Sequence, residues 1–230
     1  WVDAAKGISI LLVVAHHAVS FLTTTEQAPA VVVTLNTALA SLRMPLFFLA
    51  AGLFAAAPLA APWRTLLHKR VAFYLYLFSL WTILQFTFFA TVTPQVAEPE
   101  AVDPQLQAMA LMRPGPVLWF LYALAVFSVV GKVLRRVPAL LQLLASGTLS
   151  ALTGAGIIQF DSFAWTFMCR YLFFFLLGCH ARHLVEALAR RSNLTLVVAT
   201  VVVCLTCASG AIALDLRTTP GVALGLNVLA

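Results

Sequence analysis

The sequence predicts an all-α fold, a polytopic transmembrane helix bundle of seven spans plus the start of an eighth, with the N-terminus cytoplasmic. Three observations carry this. Of 230 residues, 62% are hydrophobic and only 10% charged, at a mean hydropathy of +0.99, far from the balance of a soluble domain. The apolar residues gather into long runs that recur to the last residue. Basic residues fall in alternate connections between those runs, as they do in membrane proteins.

Taken in order, the runs lie near 7–22, 31–56, 71–92, 117–130, 139–158, 164–179, 194–214 and, unfinished, 221–230. The first lacks the charged leader and small-residue cleavage site of a signal peptide, so it is expected to stay as a helix. The second holds Arg43 and Pro45, and Pro45 predicts a local break there, because proline removes a backbone donor and frees a carbonyl. The third is rich in aromatics and reaches the crossing length of about 20 residues. The fourth and sixth are short for a crossing and are expected to extend into their flanks. Continuous hydrophobicity all round, with Gly, Ser and Thr scattered through the runs, argues for helices packed on helices. Ten-residue alternating strands of a barrel are absent. The chain has no initiating Met and stops inside the run that opens at Pro220. Residues 1–230 are therefore expected to be one integral-membrane domain, truncated at both ends.

Orientation follows from the charges. Arg64, Lys69 and Arg70, then Lys132, Arg135 and Arg136, then Arg182, Arg190 and Arg191 fall on one side. Glu26, then Glu98, Glu100, Asp103 and Arg113, then Asp161, then Asp215 and Arg217 fall on the other. The basic side is cytoplasmic. A net charge of +6 is thus explained by topology and an anionic inner leaflet, and no nucleic-acid partner is needed.

Polar residues at membrane depth mark the candidate site. His17 lies eleven residues after Lys6, roughly 16 Å along a helix and inside a hydrocarbon layer about 30 Å thick. His16 beside it points about 100° away, so one histidine is expected to support the other. Arg43 and Arg170 stand within the second and sixth spans, with Asp161 the obvious acid near Arg170. Each lines an interior cavity, or else snorkels or caps helix carbonyls. His68, His180 and His183 fall among basic residues or at a helix end, where the helix dipole accounts for them. Cys204 and Cys207 share a face of an apolar helix and read as small packing residues. Cys169 and Cys179 are isolated, so neither a metal site nor a disulfide framework is expected. Phosphate loops, nucleophile elbows and His-Glu-x-x-His pairs are also missing from the sequence.

Four segments, in order, resemble the membrane acyltransferase-3 family. They are the opening from Trp1 to His17, Met44-Pro45-Leu46-Phe47-Phe48-Leu49-Ala50-Ala51-Gly52, Leu118-Trp119-Phe120-Leu121-Tyr122-Ala123-Leu124, and Arg170-Tyr171-Leu172-Phe173-Phe174-Phe175-Leu176-Leu177-Gly178. Lys6, ten residues and His17 are similar to that family's basic-x10-His signature. The resemblance spans the first six helices. It departs from the family at Lys69-Arg70-Val71-Ala72-Phe73, which supplies basic charge without the usual RxxR spacing.

The resemblance implies transfer of an acyl group, usually acetyl, from cytoplasmic acyl-CoA to a hydroxyl of a sugar or glycoconjugate, in a prokaryotic inner or plasma membrane. Acyl-CoA is then a donor substrate, and no bound cofactor is expected. The residue types fit, since a thioester is already activated and needs chiefly a base, close positioning and oxyanion stabilisation. His17 is the expected general base, or else a transient acyl carrier, and Arg43 the group that holds the donor or the oxyanion. Lys6, His16, Trp119 and Arg170 are expected around the substrates, and Lys69 and Arg70 at the donor phosphates. Trp119 serves equally well as an interfacial anchor. A transporter or flippase would also use intramembrane Arg43 and His17, but no second half repeats the first. A purely structural subunit leaves Lys6, His17 and Arg43 without a role.

Overall fold

The structure, a computed structural model, describes residues 2–24, 27–91, 104–105, 109–115, 117–183 and 187. Its regular elements are eight α-helices: α1 (Val2–Thr24), α2 (Ala30–Leu53), α3 (Ala56–Ala60), α4 (Trp63–Leu66), α5 (Ala72–Thr91), α6 (Trp119–Leu134), α7 (Ala139–Gly154) and α8 (Phe163–His180). A π-helical turn, Leu67–Val71, joins α4 to α5. Proline punctuates the entries, with Pro29, Pro62 and Pro138 immediately before α2, α4 and α7. A helix start has no use for the N–H that proline lacks. The expected spans at 194–214 and 221–230 lie outside the described residues. So do Cys204, Cys207, Glu26, Glu98, Glu100, Asp103, Arg190, Arg191, Asp215, Arg217 and the side chain of Lys6.

Three expectations need correction. The second helix is continuous through Pro45, because one missing donor costs a single hydrogen bond and leaves the neighbouring bonds of the helix in place. Lys69 and Arg70 are not loop residues. They stand on the π turn of one helical run, Trp63–Thr91, 29 residues long. The fifth helix ends at Gly154, not near 158, since Gly156 takes φ of 73°. There the N–H of Gly156 reaches the Thr153 carbonyl and that of Ile157 reaches Leu152, a closing turn that a left-handed glycine permits.

Among the described residues, Trp63–Thr91 and the 18-residue Phe163–His180 are long and apolar enough to cross a membrane. Burial is inverted along α7. Leu140 is 67% exposed, with Leu141 and Leu144 also outward, whereas Gln142, Ser146, Ser150 and Thr153 are buried, Thr153 to 1%. The hydroxyls of Ser146 and Thr153 donate to the carbonyls of Gln142 and Leu149, at 2.7 and 2.8 Å. Polar groups turned inward and bonded, with leucines turned outward, are what helices in lipid require.

Within the described residues, those of Trp1–Phe54, Ala139–Ile158 and Arg170–Ala230 form one compact unit, and those of Ala55–Pro138 and Gln159–Cys169 a second. In the first, α1 packs on α2, and Phe48 stacks on Tyr171 of α8 with centroids 5.8 Å apart. The same two helices touch backbone to backbone. A Cβ on Gly52 would strike the Phe175 carbonyl, and one on Gly178 would strike the Leu49 carbonyl and come within 3.0 Å of the Gly52 Cα. The glycines that end the second-helix and sixth-helix motifs are therefore the place where those helices cross. Gly52→Ala and Gly178→Ala are each expected to cost about 1–3 kcal/mol by overpacking. The double variant should cost less than the sum, because one separation of the helices relieves both clashes. Thermal unfolding of the detergent-solubilised protein measures this, and additive losses would mean that the two glycines do not share a crossing.

In the second unit, α5 packs on α6, with Phe78 against Tyr122 at 5.6 Å between centroids. Arg70 reaches out from the π turn to donate from Nε to Ser128 Oγ at 3.1 Å, and its guanidinium lies 5.6 Å from the Tyr74 ring centroid. The end of α3 is closed by cations from α6. Lys132 Nζ donates to the carbonyls of Leu59 (2.8 Å) and Ala61, and Arg135 Nη1 to that of Ala60 (3.2 Å). Positive charge at a helix C-terminus is favourable with the dipole and with its unpaired carbonyls.

Candidate functional site

The residues with most chemistry in the first unit meet between α1 and α2. His16 and His17 follow one another on α1, their ring centroids 5.1 Å apart. Across from them α2 presents Asn36 and, seven residues on, Arg43. Seven residues is two helical turns, so Asn36 and Arg43 share a face. Arg43 Nη1 donates to Asn36 Oδ1 at 3.3 Å, and the Asn36 amide lies against His16 Nδ1, with Nδ2 at 3.1 Å. His16 Nδ1 also lies 3.3 Å from Asn36 Oδ1, so both ends of the amide are within its reach, while Arg43, which has donors only, meets the oxygen. The chain of bonds from Arg43 through Asn36 to His16 thereby holds the orientation of one imidazole.

Arg43 is 6% exposed, and the bond to Asn36 is the hydrogen bond it makes among the described residues. Its fixed charge acts on both His16 and His17, and the Tyr171 hydroxyl lies within its electrostatic reach. His17 is half-buried and, among the described residues, makes no hydrogen bond. The arrangement holds an oriented imidazole on His16, an uncommitted imidazole on His17 and a buried cation in one place. Those are the parts of a base next to an anion-stabilising pair.

The other residues singled out in the sequence lie elsewhere. Lys6 falls in the early turns of α1. Arg170, in the same unit, donates from Nη2 to the carbonyls of Thr153 (3.0 Å) and Gly154 (3.4 Å), while its own carbonyl accepts from the Ser150 hydroxyl at 2.6 Å. Its guanidinium thus caps the C-terminus of α7, one of the two roles the sequence allows it. Trp119 begins α6 in the second unit, 5% exposed and edge-on to Phe163 and Phe167, where it offers no open face for stacking. Lys69 and Arg70 belong to that unit also; Lys69 is exposed and Arg70 is engaged with Ser128 and Tyr74. His180, ascribed to the helix dipole, meets Gln142 Oε1 through Nε2 at 3.0 Å.

Asn36 escaped the sequence reading. The signal was available, since an amide in an apolar helix two turns before a buried arginine shares its face. The partner on α1 was not visible, because no local spacing says which residues of two helices face each other.

A family model for acyltransferase 3, described as an acyltransferase domain, matches residues 1–228. Neither a curated protein nor a solved structure matches the chain.

Proposed function

The chain belongs to the acyltransferase 3 family of integral membrane enzymes, and on that premise we propose that it transfers an acyl group, acetyl foremost, from cytoplasmic acyl-CoA to a hydroxyl of a sugar or glycoconjugate. As an acyltransferase it has both a donor and an acceptor. The observation that carries the site is the bond sequence from Arg43 through Asn36 to His16, set beside His17.

In this mechanism a ring nitrogen of His17 takes the proton of the acceptor hydroxyl as its oxygen attacks the thioester carbonyl. The tetrahedral oxyanion is held by Arg43 and by the Nε2–H of His16, in the tautomer whose Nδ1 accepts from the Asn36 amide. Collapse expels the coenzyme A thiolate, the proton on His17 passes to that sulfur, and the imidazole is neutral again. The same proposal includes seven spans in a prokaryotic inner membrane, with the N-terminus and the clusters Arg64–Lys69–Arg70 and Lys132–Arg135–Arg136 cytoplasmic, which the charge distribution supports.

Membranes containing the full-length protein are expected to move labelled acetyl from acetyl-CoA into glycoconjugates and to release coenzyme A thiol in step with it. Labelling no higher than in membranes without the protein, across a panel of sugar acceptors, would overturn the proposed donor and acceptor.

A further inference from the structure

Outside the histidine site, the second unit carries a groove of about 770 Å³ lined by Ala60, Ala61, Pro62, Trp63, Lys132, Val133, Arg135 and Arg136. We infer that this groove binds the phosphorylated adenosine end of a nucleotide-bearing donor, an inference that rests on the acyl-CoA reading above. Its volume falls in the range of small-ligand sites. Three of its eight lining residues are cations and none is an acid, so the ligand it favours is an anion.

Two features separate this groove from a scatter of cytoplasmic lysines and arginines. Lys132 and Arg135 are held in position by the carbonyls of Leu59, Ala61 and Ala60, so their charges are in place before a ligand arrives. A preorganised cation loses less freedom on binding than a free surface side chain. The second feature is Trp63, 44% exposed at the groove with the Lys132 ammonium 5.9 Å from its ring centroid. A part-exposed indole at the groove is a stacking partner for a planar base, and the adjoining guanidiniums of Arg135 and Arg136 are partners for phosphate oxygens. Base and phosphate together describe a nucleotide. An anionic lipid headgroup shares the phosphate but has no ring for Trp63. Arg70, a sequence candidate for the donor phosphates, is engaged with Ser128 and Tyr74 instead, whereas Arg136 is exposed at the groove.

The test uses the full-length protein in nanodiscs of neutral phosphatidylcholine, titrated with coenzyme A and with adenosine 3′,5′-bisphosphate by calorimetry. Trp63→Ala and, as a surface change that spares the α3 carbonyls, Arg136→Gln are each expected to weaken both ligands about tenfold, the scale of one stacking or charge-assisted contact. In turnover, the ratio of kcat/KM for acetyl-CoA to that for acetyl-pantetheine, which lacks the nucleotide, should fall by about the same factor. Unchanged affinity in both variants, or equal losses with the two donors, overturns the groove. So does nucleotide binding that persists in the variants while association with phosphatidylglycerol is lost, which would make it a lipid site. Nucleotide binding that is lost in the variants, in a protein that transfers no acyl group, would keep the groove and overturn the transfer reading.

Discussion

His17→Ala is expected to lower acyl transfer by about 10²- to 10⁴-fold, the contribution of a positioned general base, with helix content and abundance unchanged. His17 is half-buried and, among the described residues, holds no hydrogen bond, so its removal breaks no network. The neighbouring His16→Ala is the control that gives this result meaning. It removes the end of the chain from Arg43 and Asn36 and is expected to cost less, on the scale of one oxyanion donor or below. Labelled acetyl transfer at saturating donor, with matched abundance of each variant in the membrane, reads both. Wild-type rates in His17→Ala, or a larger loss in His16→Ala, would reassign the base. A covalent acyl carrier is separable by the same assay, because it would leave label on the wild-type protein when acceptor is withheld.

Arg43→Met is expected to abolish most transfer while leaving the protein as stable as before or more so. Its one bond among the described residues is long, 3.3 Å to Asn36, and losing it costs about 1 kcal/mol. The burial of an arginine at 6% exposure with no acid on it among these contacts carries a desolvation penalty of about several kcal/mol. Relief of that penalty outweighs the lost bond. A group retained at such a cost to stability is the pattern expected where function demands it. The rate should fall by about 10²- to 10³-fold, as for removal of an oxyanion donor, and Arg43→Lys should restore little, since an ammonium does not present the planar fork that reaches Asn36 and a second acceptor together. Thermal unfolding and transfer rate measured on the same preparation decide it. A variant that loses stability in proportion to activity would make Arg43 a structural residue.

Much of the helix pattern was legible along the chain. The runs at 7–22, 71–92 and 164–179 lie on α1, α5 and α8, and that at 31–56 covers α2 to its end at Leu53 and overruns it by the turn to Ala56, because apolar runs and prolines act locally. Boundaries moved where a single residue decides geometry, as at Gly156, or where basic residues continue a helix, as at Lys69 and Arg70. His16, His17 and Arg43 stood out from their place within apolar runs, since charge and titratable groups are costly in lipid.

Composition and the long apolar runs by themselves determined that this chain is helical, and the ordered motifs pointed to its acyltransferase family. Those properties follow from solvent preference and from interactions a few residues apart. Only the tertiary structure decided that Asn36 joins Arg43 to His16, that Arg170 serves the end of α7, that Lys132 and Arg135 serve the end of α3, and that Gly52 and Gly178 are where α2 and α8 touch. Each is a contact between residues at least 16 positions apart, apart from the two-turn link of Asn36 to Arg43. In a chain where most faces are apolar, hydrophobicity does not choose the helix pairs. Close packing at small residues and the satisfaction of the few buried polar groups do, and both exist only once the helices have met.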